Sequence, residues 1–157
     1  MKSRQLLSQK QRLEWLITQA STFRGDQQLQ AHWARYLCVL AAGFLENALF
    51  DVYSRYAKRC ANEQVANYVE AALARLQNPK ADKFLDTARA FDRSWEEGLR
   101  AFIEDNGRKD AIDAIMANRH QIAHGKDSGI SLVRVQQYLE RSIEVVEYIE
   151  DQCGVAG

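Results

Sequence analysis

The chain has 157 residues, 46% of them hydrophobic, with one proline and 21 basic against 21 acidic side chains. That length suits one domain with a buried core, covering residues 1–157, and is short for two. Zero net charge excludes a generally cationic nucleic-acid binder, so contact with a polyanion has to come from a local cleft. The three cysteines, Cys38, Cys60 and Cys153, are odd in number and widely spaced, which fits a reducing cytoplasm better than a disulfide framework. The opening MKSRQLLSQKQRLEW has no apolar stretch of signal-peptide length. The longest apolar run, Leu37 to Leu45, is nine residues, against the ~20 a membrane span needs. A soluble cytoplasmic protein with no membrane segment is expected.

In chain order, Leu6, Leu13, Trp15, Leu16 and Ile17 mark a first amphipathic helix over about 3–22, closed by a turn at Gly25 and Asp26. A second helix, about Asp26 to Cys60, carries Leu29, Trp33, Leu37, Leu40, Phe44, Ala48 and Val52 on one face. Its middle is apolar nearly all round, as in a buried central helix. Gly43 costs such a helix about 1 kcal/mol relative to alanine, and close approach of another backbone is the natural reason for it.

Asn62 or Glu63 opens a third helix reaching Leu76, which QNP ends. Asn78 reads as the N-cap, with Pro79 at the first position, of a short helix bearing Phe84, Leu85 and Phe91. Asp92 or Ser94 starts the next, with Trp95, Leu99, Phe102 and Ile103 inward and Gly107 as its stop. A sixth helix starts near Lys109, and after GKDSG Ser131 caps a last one bearing Leu132, Val135, Leu139, Ile143, Val146 and Ile149. Nothing alternates with period two, so no sheet is expected. The fold class is all-α: an up-and-down bundle of six or seven helices around the long central one.

Within the sixth helix, Asn118-Arg119-His120-Gln121-Ile122-Ala123-His124-Gly125 gathers two of the three histidines, an arginine and a helix-stopping glycine. Arg119 falls on the apolar stripe set by Ile112, Ile115, Met116, Ile122 and Ala123, where an arginine needs a partner. Glu46, in an apolar part of the central helix, is the obvious one. His120 and His124 lie about 40° apart on one flank, and Gly125 reads as the left-handed residue ending the helix. Histidines four apart can share a metal. Yet Gln121 stands where a zincin would place its glutamate, and no third ligand is evident, so no metal or cofactor is expected.

This octet, with the helical context, the following GIS and the upstream YLCVLAAGFLEN, resembles the HEPN superfamily of small helical ribonucleases, in particular the RiboL-PSP type. The family signature is an arginine, a polar residue directly after it, and a histidine four to six residues further on. Arg119, His120 and His124 match it, and the resemblance spans roughly 30–150. It implies a metal-independent endoribonuclease whose cleft forms where two protomers meet. His124 would be the acid or base and Arg119 the phosphate clamp, with His120, Asn118 and Glu46 in support. Lys126 stands where an antitoxin-regulated subgroup carries a modified tyrosine; here it would add charge for an RNA backbone. By analogy the protein would be a cytoplasmic toxin or anti-phage effector, with RNA as substrate, a homodimer, and an antitoxin or operon partner.

The chemistry suits those residue types. Metal-free cleavage needs a group to deprotonate a 2′-hydroxyl, a donor for the leaving oxygen, and a cation for the phosphorane. Bland readings stand beside this one. Arg119 and Glu46 as a structural ion pair would not exclude catalysis. His124 alone reads as a histidine favouring a helix C-terminus. His32, beside Trp33, reads as a surface or packing residue. Tyr36, Trp33, Tyr53 and Trp95 could stack bases, but their spacing favours core packing. The alternative function is a catalytically silent HEPN-like module that dimerises or docks a partner. On ideal geometry Arg119 and His124 point about 140° apart. Either the last turn unwinds at His124, or a second protomer brings the two sets together.

Overall fold

A computed structural model describes residues 1–154. The described residues form seven helices and no strand: α1 (Arg4–Ala20), α2 (Gln27–Cys60), α3 (Glu63–Leu73), α4 (Ala81–Phe91), α5 (Arg93–Glu104), α6 (Arg108–Ala123) and α7 (Leu132–Gln152). Most begin where the sequence offers a cap. The Ser3, Asp26, Asn62, Asp92 and Ser131 side chains accept first-turn N–H groups of α1, α2, α3, α5 and α7, giving donors with no intrahelical partner an acceptor.

Helix α2 is the axis, packed by α1, α3, α6 and α7. Its middle is buried on several sides through Ala41, Ala42, Phe44, Leu45, Ala48 and Leu49. An 18-residue window of α2 reaches a mean hydropathy of 1.3, apolar enough to cross a membrane, and 61% of that window is buried inside the bundle. A core helix has this composition for that reason. Helices α4 and α5 pack on each other and on α6, and α5 also meets α7.

Three expectations change. Asn78 does not cap α4: it sits in the left-handed region at φ 50°, and α4 begins at Ala81 after Lys80, which supplies no side-chain cap. Asp113 of α6 accepts the Ala81 N–H at 2.8 Å instead, so this helix is capped from across the bundle. Glu46 accepts the Asn78 N–H, fixing the same linker to α2. Gly43, expected at a close approach, has nothing within 4 Å of where a Cβ would lie. The tight glycine is Gly98, where a Cβ would come within 2.8 Å of Tyr148 Oη across the α5–α7 contact. Gly107 does lie between α5 and α6, at φ 66°, and Asn106 before it is left-handed too, at φ 55°.

Candidate active site at the end of α6

The fully buried part of the apolar stripe of α6 ends at Met116, just before the motif. Ala111, Ile112, Ile115 and Met116 are buried, whereas Arg119 and Ile122 are half-buried and Ala123 is exposed. Ile122 still packs against the core in the last turn, but Arg119 is half-buried and not the buried cation that the helical wheel predicts. Its pairing with Glu46 is absent: Glu46 is committed to the α3–α4 linker. Among the described residues Arg119, His120, His124 and Lys126 make no ion pair and no side-chain hydrogen bond. Asn118 is occupied locally, donating from Nδ2 to the Ala114 carbonyl at 2.8 Å.

The helix ends as the glycine predicts. Gly125 has φ 66°, its N–H donates to Ile122 O at 3.1 Å, and the Lys126 N–H reaches back to Gln121 O at 2.9 Å. This pair of backward bonds, closed by a left-handed residue, satisfies two of the orphan carbonyls of the last turn. His124 is the C-cap, at φ −93° and ψ 15°, and its N–H is shared between His120 O and Gln121 O, both at 3.2 Å. The backbone thus leaves helical geometry at the motif histidine. His120 and His124 are exposed, and their rings meet edge to face with centroids 4.4 Å apart. No third His, Cys, Asp or Glu joins them in a metal-binding group among the described residues.

Helix α6 packs on α7 and on α2, which runs antiparallel alongside. The buried Cys38 thiol donates to Ile115 O at 3.6 Å beside the Arg119 backbone N–H, and burial pushes its pKa up to about 12, so it is a packing residue and not a nucleophile. One turn earlier Arg35 Nη1 donates to Asp127 Oδ1 at 3.1 Å, and Asp127 also accepts the Gly129 N–H at 3.2 Å. Sequence reasoning missed Arg35 and Asp127, because nothing local signals a pair 92 residues apart.

A surface groove of about 590 Å³ lies elsewhere, between α2, α3 and α4, with Tyr56, Val65, Tyr68, Val69 and Phe91 among its lining. Its lining is mostly apolar, with Lys83 and Asp86 as its charged members and no histidine or arginine. Among the described residues, Arg119, His120, His124 and Lys126 gather acid–base and cationic groups free of partners at the end of α6.

Comparison with known proteins places these observations in a family. The RiboL-PSP-HEPN family model matches residues 4–154. No curated protein and no solved structure matches the chain. Seven helices, a long central helix and a family match over nearly the whole sequence make this chain a member of the HEPN domains of the RiboL-PSP type.

Proposed function

We propose that the protein is a metal-independent endoribonuclease, working in the cytoplasm as a homodimer whose two α6 ends share one cleft. Membership in a ribonuclease-related family supports the reaction class. The observation that carries the reading is that Arg119, His120 and His124 make no ion pair and no side-chain hydrogen bond among the described residues, at a helix end held by a glycine-terminated turn. An arginine left without a carboxylate keeps its fork of N–H donors for phosphate oxygens. In this account His124 moves the proton, Arg119 stabilises charge on the phosphorane, and His120, in edge contact with His124, orients it or takes the second proton-transfer role. Lys126, exposed two residues on, adds attraction for the RNA backbone. A toxin or defence role, with an antitoxin or operon partner, belongs to the same proposal.

Incubating purified protein with varied RNAs in excess EDTA tests it. Cleavage that leaves 2′,3′-cyclic phosphate and 5′-hydroxyl ends is the expected result. Intact RNA with folded dimer would favour the silent interaction module, and cleavage abolished by EDTA would move the chemistry to a metal held by His120 and His124.

A further inference from the structure

The surface next to the motif carries a second set of polar and aromatic groups, on the first three turns of α2. Arg35, 30% exposed, is held between Asp127 Oδ1 at 3.1 Å and His32 Nδ1, 3.0 Å from its Nη2. A guanidinium can only donate, so His32 Nδ1 accepts, and its Nε2 carries the hydrogen as a free donor. The remaining N–H groups of Arg35 have no partner among the described residues. Beside this pair Tyr36 is 48% exposed, against the core position its helical spacing suggests. Its ring meets Trp33 edge to face at 5.7 Å, and Trp33 stacks on Phe23 at 6.1 Å, so the tyrosine stands on a rigid aromatic base. Leu29, His32, Trp33 and Tyr36 line an open groove of about 240 Å³. That is below the ~300–1,000 Å³ of pockets for drug-sized ligands, and suits one planar fragment.

We propose that this groove is a nucleobase subsite of the α6 site, taking an unpaired base against Tyr36 while Arg35 holds a neighbouring phosphate. The inference rests on the ribonuclease reading for the identity of the strand. Arg35 joins the two places physically, since Asp127 lies three residues past His124. The character of the groups selects the occupant. An aromatic wall flanked by donors from Arg35 and His32, with the exposed Lys126 near Asp127, complements a π-face with acceptor oxygens and nitrogens beside it. An apolar peptide side chain would leave the His32 Nε2–H and the remaining Arg35 N–H groups without an acceptor. Bases in a duplex are already stacked, so the subsite takes single strands or loops.

Binding can be read without cleavage in the His124→Ala protein. A short single-stranded RNA carrying 2-aminopurine should lose fluorescence on binding, as the base stacks. Adding Tyr36→Ala should weaken binding about 10-fold or more, the scale of losing one base–aromatic stack. Tyr36→Phe should bind like the parent, and a duplex of the same sequence should be insensitive to either change. Equal binding by the Tyr36→Ala protein overturns the subsite, as does failure of the parent to bind the RNA. Sedimentation run in parallel gives the other contrary result: if Tyr36→Ala converts dimer to monomer as binding falls, the face is a contact between copies. Wild-type cleavage is scored separately. Quenching with intact RNA removes the ribonuclease reading and leaves the subsite, whereas cleavage with an unchanged KM in Tyr36→Ala removes the subsite alone.

Discussion

At the α4–α5 corner and at the end of α6 the chain places charged side chains in opposite circumstances. Buried Glu96 takes Arg89 on both oxygens, at 2.6 and 2.7 Å, and Arg100 at 2.5 Å. Buried Glu150 likewise accepts the Lys2 and Ser3 N–H groups at 2.9 to 3.3 Å and the Arg55 guanidinium at 3.4 Å, tying the start of α1 to α2 and α7. Both of these buried carboxylates have complements, and their arrangement explains itself as structure. Arg119, His120, His124 and Lys126 have none among the described residues. Charges held in place without complements are available to a ligand, and this contrast, more than the motif spacing, points to the site.

The contrast breaks most sharply if removal of the motif groups costs stability instead of activity. His124→Ala and Arg119→Ala should each lower RNA cleavage by ~10²-fold or more, the usual scale for a positioned acid–base group or charge clamp. Denaturant midpoints should barely move, with changes within about 0.5 kcal/mol, because neither side chain has an intramolecular partner. A large loss of stability with retained activity would reverse the assignment. Glu150→Ala should do the opposite: about 2 kcal/mol less stable in urea unfolding, from the donors left without an acceptor in a buried place. Activity per folded molecule should be unchanged.

A smaller effect tests which surfaces stay open. Gly43 lies on the lining of a shallow groove of about 250 Å³ with no neighbour to obstruct a methyl group. Gly43→Ala should therefore raise stability by up to about 1 kcal/mol, through helix propensity alone. A loss of dimer on this substitution would mean that a second copy packs there. Smallest is the pH response of the α4–α5 corner. The Arg89 and Arg100 guanidiniums hold the Glu96 carboxyl down to about 2 from its ordinary 4.5. A lowered carboxylate stabilises the fold above the unfolded value, and the contribution fades as pH falls from about 4.5 toward 2. Both arginines are largely in solvent, 61% and 45% exposed, so the effect is modest and salt-sensitive. Glu96→Gln should lie below wild type at neutral pH, and the two curves should converge through that window.

Much of the fold is legible in the sequence because its signals are local. Apolar spacing, cap residues within three positions of their N–H groups, and a glycine at φ 66° after His124 all act over a turn or two. The misreadings share a different cause. Glu46 looked like the partner of Arg119 because both sit among apolar residues, but its acceptor role belongs to Asn78, 32 residues away. Asn78 looked like a cap until Asp113 of another helix proved to supply the one α4 uses. Gly43 and Gly98 are indistinguishable as letters in helices, and only the α5–α7 approach separates them. Helical periodicity placed Arg119 on the core face correctly as an angle. It carries no information on how deeply each turn is buried, and here full burial ends at Met116, leaving Arg119 half-buried. His32 lost its isolation for the same reason, since Arg35 and Asp127 connect it to the motif only in three dimensions.

The composite cleft is the account's central claim, and mixing two inactive proteins tests it most directly. Arg119→Ala and His124→Ala homodimers, exchanged to form heterodimers that are verified by native mass spectrometry, would join the intact Arg119 of one protomer with the intact His124 of the other. The account predicts that RNA cleavage returns in proportion to the heterodimer fraction; heterodimers as silent as both parents would contradict it.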